Sequence, residues 1–135
     1  LEYIAWNESF SVKVPSLDEQ HQQLVGYLNE LHAMVLEPPQ DSNGYEPILE
    51  KLTAYADQHF SHEERLMRRC GYPDYIEHKG MHGEFLTEVR KFEDQMREGS
   101  IVGQELLFFL QNWLISHIKG TDKEYSDLLV AHGIE

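Results

Sequence analysis

The chain of 135 residues has a single cysteine, Cys70, so neither an intrachain disulfide nor a cluster of metal-binding thiolates is open to it. It is also short of positive charge. Its 11 Lys and Arg stand against 24 Asp and Glu, a formal net charge of -13, and no basic cluster interrupts the excess. That balance argues against nucleic-acid binding, which depends on neutralising phosphates, and against an anionic membrane surface. Long hydrophobic runs are missing as well: the longest, Leu106 to Leu110, falls far below the roughly 20 residues that cross a bilayer. The first residues carry no basic, apolar, small-residue leader pattern. One soluble, cytoplasmic domain over residues 1–135, with room for one sizeable core, is the expectation.

Strand alternation is absent too, and what replaces it is helical spacing. Residues 1–15 show no helical period and read as an extended N-terminal arm, with Trp6 and Phe10 packing on the body. A first helix over 16–37 is opened by a capping box of Ser16 and Glu19, and carries Leu17, His21, Leu24, Leu28, Leu31 and Val35 at alternating steps of four and three. A second over 44–70 repeats the stripe with Ile48, Leu52, Tyr55, His59, Glu63 and Leu66. The third, over 73–98, takes Pro73 into its first turn and bears Tyr75, His78, His82, Phe85, Val89, Phe92 and Met96. Ser100 caps the fourth, over 100–118, with Leu106, Leu110, Leu114 and His117 in step, and a short last helix spans 123–130. Four such helices with brief connections predict an all-α, antiparallel up-down-up-down four-helix bundle, because each apolar stripe needs the others for burial.

Eight histidines in so short a chain are the unusual figure. Five of them, His21, His59, His78, His82 and His117, occupy stripe positions that otherwise hold Leu, Phe and Val, and burying them without partners would cost several kcal/mol. An up-down-up-down bundle brings all five to one end, since they lie early in the first and third helices and late in the second and fourth. His59 with Glu63, and His78 with His82, stand four residues apart on one helical face. His117 and Asp122 are five apart, about 140° around an ideal helix, so Asp122 reaches the same place only if the backbone widens or breaks around Gly120. Five imidazoles and two carboxylates exceed one zinc ion's ligands and are too rich in nitrogen for calcium or magnesium. Two transition ions fit, with Glu63 and Asp122 bridging and the histidines dividing three and two to leave one open position. Iron or manganese suits these donors, iron being preferred for gas chemistry. The Glu-x-x-His motif of carboxylate-rich di-iron bundles does not occur.

Other polar residues are set apart. His62 lies about 100° from Glu63 and reads as a surface or outer neighbour; His32, about 16 Å along the axis from His21, is too distant, and His132 falls in a tail. Tyr125 is placed to donate a hydrogen bond near the centre. Trp6 and Trp113 read as packing residues, Cys70 as a small hydrophobe at a helix end, and Glu93, Asp94, Glu98 and Glu105 as a solvated face.

Four stretches in order, LDEQHQQL at 17–24, HFSHEERLM at 59–67, GYPDYIEHKGMH at 71–82 and WLISHIKGTDKEY at 113–125, resemble the hemerythrin family, specifically its bacterial single-domain members. The resemblance implies reversible binding of molecular oxygen at a non-haem di-iron centre with an oxo or hydroxo bridge. It implies that His78, His82 and His117 hold the coordinatively full iron, that His21 and His59 hold the iron with the vacancy, and that Glu63 and Asp122 bridge both. It also implies that Leu24, Phe60, Leu114 and Ile118 line a dry oxygen pocket. The expected role is an oxygen carrier or store, with no catalysis. The alternatives are an oxygen or redox sensory domain and, third, a di-iron enzyme consuming peroxide or nitric oxide. A start at Leu rather than Met is compatible with excision from a longer chain carrying a neighbouring signalling domain.

Overall fold

The computed structural model describes residues 3–100 and 103–135, with backbone alone at positions 42 and 43. Among these residues four long helices, α1 (Pro15–Leu36), α2 (Glu46–Arg69), α3 (Tyr75–Arg97) and α4 (Gly103–Ser116), form the bundle, and a short α5 (Ser126–Ala131) follows. α1 packs against α2 and α4, and α3 against the same two, so each helix buries its stripe between two neighbours. No strand occurs among the described residues, and no helix there is long and apolar enough to cross a membrane.

The helix ends differ from the sequence expectation in instructive ways. The Ser16–Glu19 capping box does not form: α1 begins at Pro15, whose missing N–H costs nothing in a first turn, and Val14 at the cap makes no side-chain bond. Asp18 organises this end instead, its carboxylate accepting from Val12 N–H at 2.8 Å and from the Ser11 hydroxyl at 2.6 Å, which ties the arm to the helix. Pro73 sits in the turn before α3, which starts at Tyr75. Ser100 closes α3 rather than being seen to open α4: its N–H reaches Gln95 C=O at 3.0 Å, in a turn that Gly99 completes at φ 91°. The expected start of the fourth helix falls partly on 101–102, and that of the arm on 1–2, outside the described residues.

The described part of the arm holds a 3-10 turn at Glu8–Phe10, capped by Asn7, and bends again at Lys13, whose φ is 64°. Asn29 grips the backbone of Ile4 through both amide atoms, Tyr3 stacks on His32 at 4.0 Å, and Trp6 stacks on the buried Phe10. Most of the buried apolar residues form two clusters. The larger runs from Leu24, Phe60, Phe85 and Leu114 toward Tyr45 and Leu106; the smaller joins Val12, Val14, Leu17, Met67, Tyr125 and Leu129 at the opposite end. His21, His78, His82 and His117 fall between these two clusters along the chain, and His59 stands beside Phe60 at the edge of the larger one.

Past Ser116 the backbone widens into a π-helix over His117–Thr121, then tightens into a 3-10 turn at Asp122–Tyr125. The Asp122 N–H bonds to His117 C=O, the five-residue step of a π-turn. Gly120 lies inside this turn without a positive φ, and a Cβ there would meet nothing within 4 Å, so the widening does not depend on a missing side chain. Gly103 is the opposite case, since a Cβ there would run into the ring and hydroxyl of buried Tyr45. Gly103→Ala is therefore expected to destabilise the fold by about 1–3 kcal/mol through overpacking. Gly120→Ala is expected to be neutral or stabilising by less than about 1 kcal/mol. Urea unfolding followed by circular dichroism would read both.

Candidate metal centre

Each helix contributes for a local reason. The i,i+4 steps of α2 and α3 stack His59 over Glu63 and His78 over His82, and His21 enters from the first turns of α1. The π-turn has more residues per revolution than an α-helix, so Asp122, five positions after His117, returns to the same side and its Oδ1 lies 3.0 Å from His117 Nε2. All seven side chains are buried.

They form two donor sets that share both carboxylates. In the first, His21 Nε2 lies 3.0 Å from Asp122 Oδ2 and 3.6 Å from Glu63 Oε2, and His59 Nε2 lies 3.1 Å from the same Glu63 oxygen. In the second, His78 Nε2 is 2.7 Å from Glu63 Oε1 and 2.9 Å from Asp122 Oδ1, and His82 Nε2 is 3.1 Å from Glu63 Oε1. His117 Nε2 completes it, 3.1 Å from the Nε2 atoms of both His78 and His82. Each carboxylate thus turns one oxygen to each set, and within each set the ligand atoms lie within 4.8 Å of one another.

The bonding of these atoms suits a cation. His21 Nε2 and both Asp122 oxygens are buried and make no hydrogen bond among the described residues, although His21 and Asp122 approach to 3.0 Å. In the second set His117 Nε2 stands 3.1 Å from both His78 Nε2 and His82 Nε2, so the three nitrogens cannot all carry protons, and converging lone pairs are what a cation requires. Charge gives the same answer. Burial disfavours the charged form of His21 and of His78, yet Asp122 and Glu63 outweigh it and push each imidazole up to about 9. His59 goes down, because burial prevails there. Burial also works against the Glu63 and Asp122 carboxylates, but the surrounding histidines hold both well below the usual carboxylate range. One proton in each set therefore stands where positive charge is needed, and ion binding would displace it. Each set has the donors to hold a metal ion.

The surroundings fix the rings. Phe60 stacks on His82 at 3.9 Å and 5°, Trp113 stacks on His117 at 4.3 Å and 16°, and the Tyr125 hydroxyl donates to Glu63 Oε2 at 2.9 Å. Gln20 and Glu64 escaped the sequence reading. With Nε2 facing the centre, His59 Nδ1–H donates to Gln20 Oε1 at 2.6 Å and His82 Nδ1–H to Glu64 Oε2 at 2.8 Å. Each lies next to a stripe residue in sequence yet serves a ring on another helix, a pairing no single-helix pattern contains. Leu24, Phe60, Leu114 and Ile118 are all buried, and Phe60 lies against both His59 and His82. His62 is half-buried with Nε2 3.4 Å from Ser16 Oγ, and neither His32 nor His132 joins the cluster. A surface pocket of about 510 Å³ reaches His117 past Trp113, Phe108 and Phe109.

Residues 12–129 match the hemerythrin HHE cation binding domain family. The bacteriohemerythrin of Stenotrophomonas maltophilia (strain R551-3) is 30% identical over 129 residues, covering 96% of this chain and 83% of its own. The myohemerythrin of Theromyzon tessulatum is 32% identical over 124 residues, 92% of either chain. The crystal structure of wild-type hemerythrin superposes with a TM-score of 0.85 at 26% identity, covering 94% of this chain and 98% of that one.

Asp122 is the ligand candidate whose place depends most on irregular backbone, which makes it the sharpest test. Asp122→Ala removes an oxygen from both donor sets, whereas Asp127→Ala removes the same charge from an exposed site nearby. Only the first is expected to lose bound metal, with helical circular dichroism unchanged in both. Equal metal retention would take Asp122 out of the centre.

Proposed function

From its membership of the hemerythrin family, to which this chain belongs, we propose that the protein binds molecular oxygen reversibly at a non-haem di-iron centre and serves as an oxygen carrier or store. The observation that carries the reading is the unequal pair of donor sets: three imidazoles on one side, two on the other, and one oxygen of each carboxylate for each. His78, His82 and His117 would hold one iron, His21 and His59 the other, and Glu63 and Asp122 would be shared by both, so the second iron would have one protein ligand fewer. When bound, a pair of ferrous ions would supply the electrons that make oxygen uptake possible.

The chain's own residues do the rest. Glu63 is held in one orientation by the Tyr125 hydroxyl, whose own proton is secured because burial and the nearby Asp122 and Glu63 charges push its pKa far up. Leu24, Phe60, Leu114 and Ile118 would exclude water from the centre, and a dry, apolar wall disfavours proton delivery to it. Binding is favoured over turnover for that reason.

Protein made in iron-replete cells is expected to contain two irons per chain. The anaerobically reduced protein is expected to develop a visible absorption on exposure to oxygen that fades when oxygen is swept out under argon. One iron per chain, or zinc as the main metal, would overturn the di-iron reading. Two irons with immediate, irreversible oxidation would favour sensing or catalysis over carriage.

A further inference from the structure

The two donor sets differ in what stands behind their rings as well as in the number of rings. Behind the three-histidine set, the Glu64 carboxylate accepts the Nδ1–H of His82 at 2.8 Å, in a largely buried position with its side chain 17% exposed. Behind the two-histidine set, His59 has only the neutral amide of Gln20, and His21 Nδ1 is buried with no hydrogen-bond partner among the described residues. A full negative charge on the acceptor strengthens the bond at either length and draws the ring proton toward itself, leaving the opposite nitrogen more basic. The shared carboxylates each give one oxygen to each side, and their one asymmetry, the Tyr125 hydroxyl donating to Glu63 Oε2, takes electron density from the two-histidine side and so acts in the same direction. We propose that Glu64 is a positioning and charge-setting residue that makes the three-histidine set the tighter one, so that the centre fills in order, His78–His82–His117 first and His21–His59 second.

This inference rests on the metal-binding reading above, and one titration separates the two. Metal-free protein is titrated with Co²⁺, which needs no redox control, and uptake is followed by calorimetry and by the d–d absorption of the bound ion. The wild type is expected to bind in two resolved steps, and His59→Ala to lose the weaker one. Glu64→Gln keeps an amide oxygen where the carboxylate was, and is expected to weaken the tight step about 10–100-fold while leaving the weak step nearly unchanged. Gln20→Glu, which places a carboxylate behind His59, is expected to tighten the weak step and narrow the gap. Circular dichroism of the metal-free variants should match the wild type. A Glu64→Gln variant that binds like the wild type would mean that the contact merely holds the ring, and the proposal fails. Loss in the weak step instead of the tight one also overturns it. A wild type that takes up no Co²⁺ overturns the metal reading itself, and this inference with it.

Discussion

Two carboxylates buried among five imidazoles set the terms for the rest of the molecule. A buried carboxylate without compensating charge costs several kcal/mol even after the protein relaxes, and the two here face each other across the same space. Each must be matched by positive charge supplied at the centre, from protons on His21 and His78 or from ions that would displace those protons. No helix could be stable around such a group alone. The apolar clusters above and below supply the driving force, with Leu24, Phe60, Phe85 and Leu114 on one side and Leu17, Met67 and Tyr125 on the other.

The same constraint accounts for the one large departure from regular backbone. A fourth helix continued as an α-helix would point position 122 away from His117, exposing a carboxylate to the apolar layer or to solvent and leaving each donor set short of one oxygen. Widening by one residue between His117 and Thr121 restores the alignment, and π-turns are often found at functional sites. The following turns then carry Tyr125 beneath Glu63, and α5 returns Leu129 to the smaller cluster near Val12. Arm, bridge and tail are thereby fastened together: the Ser126 hydroxyl donates to Val12 C=O, and Asp18 holds the backbone of the same residue.

Rigidity around the centre comes from flat contacts and hydrogen bonds working together. Phe60 and Trp113 fix the planes of His82 and His117, while Glu64 and Gln20 fix which nitrogen of His82 and His59 carries the proton. Rings held in this way would leave little reorganisation to oppose ion binding.

The bundle and the inward face of the five histidines were legible in the chain alone, because a period of three and four residues is a local property that survives without knowledge of partners. His21, His59 and His117 replace Leu or Phe in otherwise regular stripes, and the alternation of helix direction is enough to bring them to one level. The need for irregular backbone at 117–122 was equally plain from a five-residue spacing that no α-helix satisfies. Helix ends were not legible in this way: Ser16 and Glu19 satisfy a capping pattern, but Asp18 competes for the arm's backbone and Pro15 already opens the helix, a contest decided by where the arm runs. The partners Gln20 and Glu64 belong to the same class. Each lies off the buried stripe of its own helix, and only the packing of α1 on α2 and of α2 on α3 turns it toward a ring that another helix supplies. Periodicity on one helix specifies which residues go inward; which inward atoms meet, and through which oxygen or nitrogen, is set by the distances between helices, and those exist only once the chain has folded.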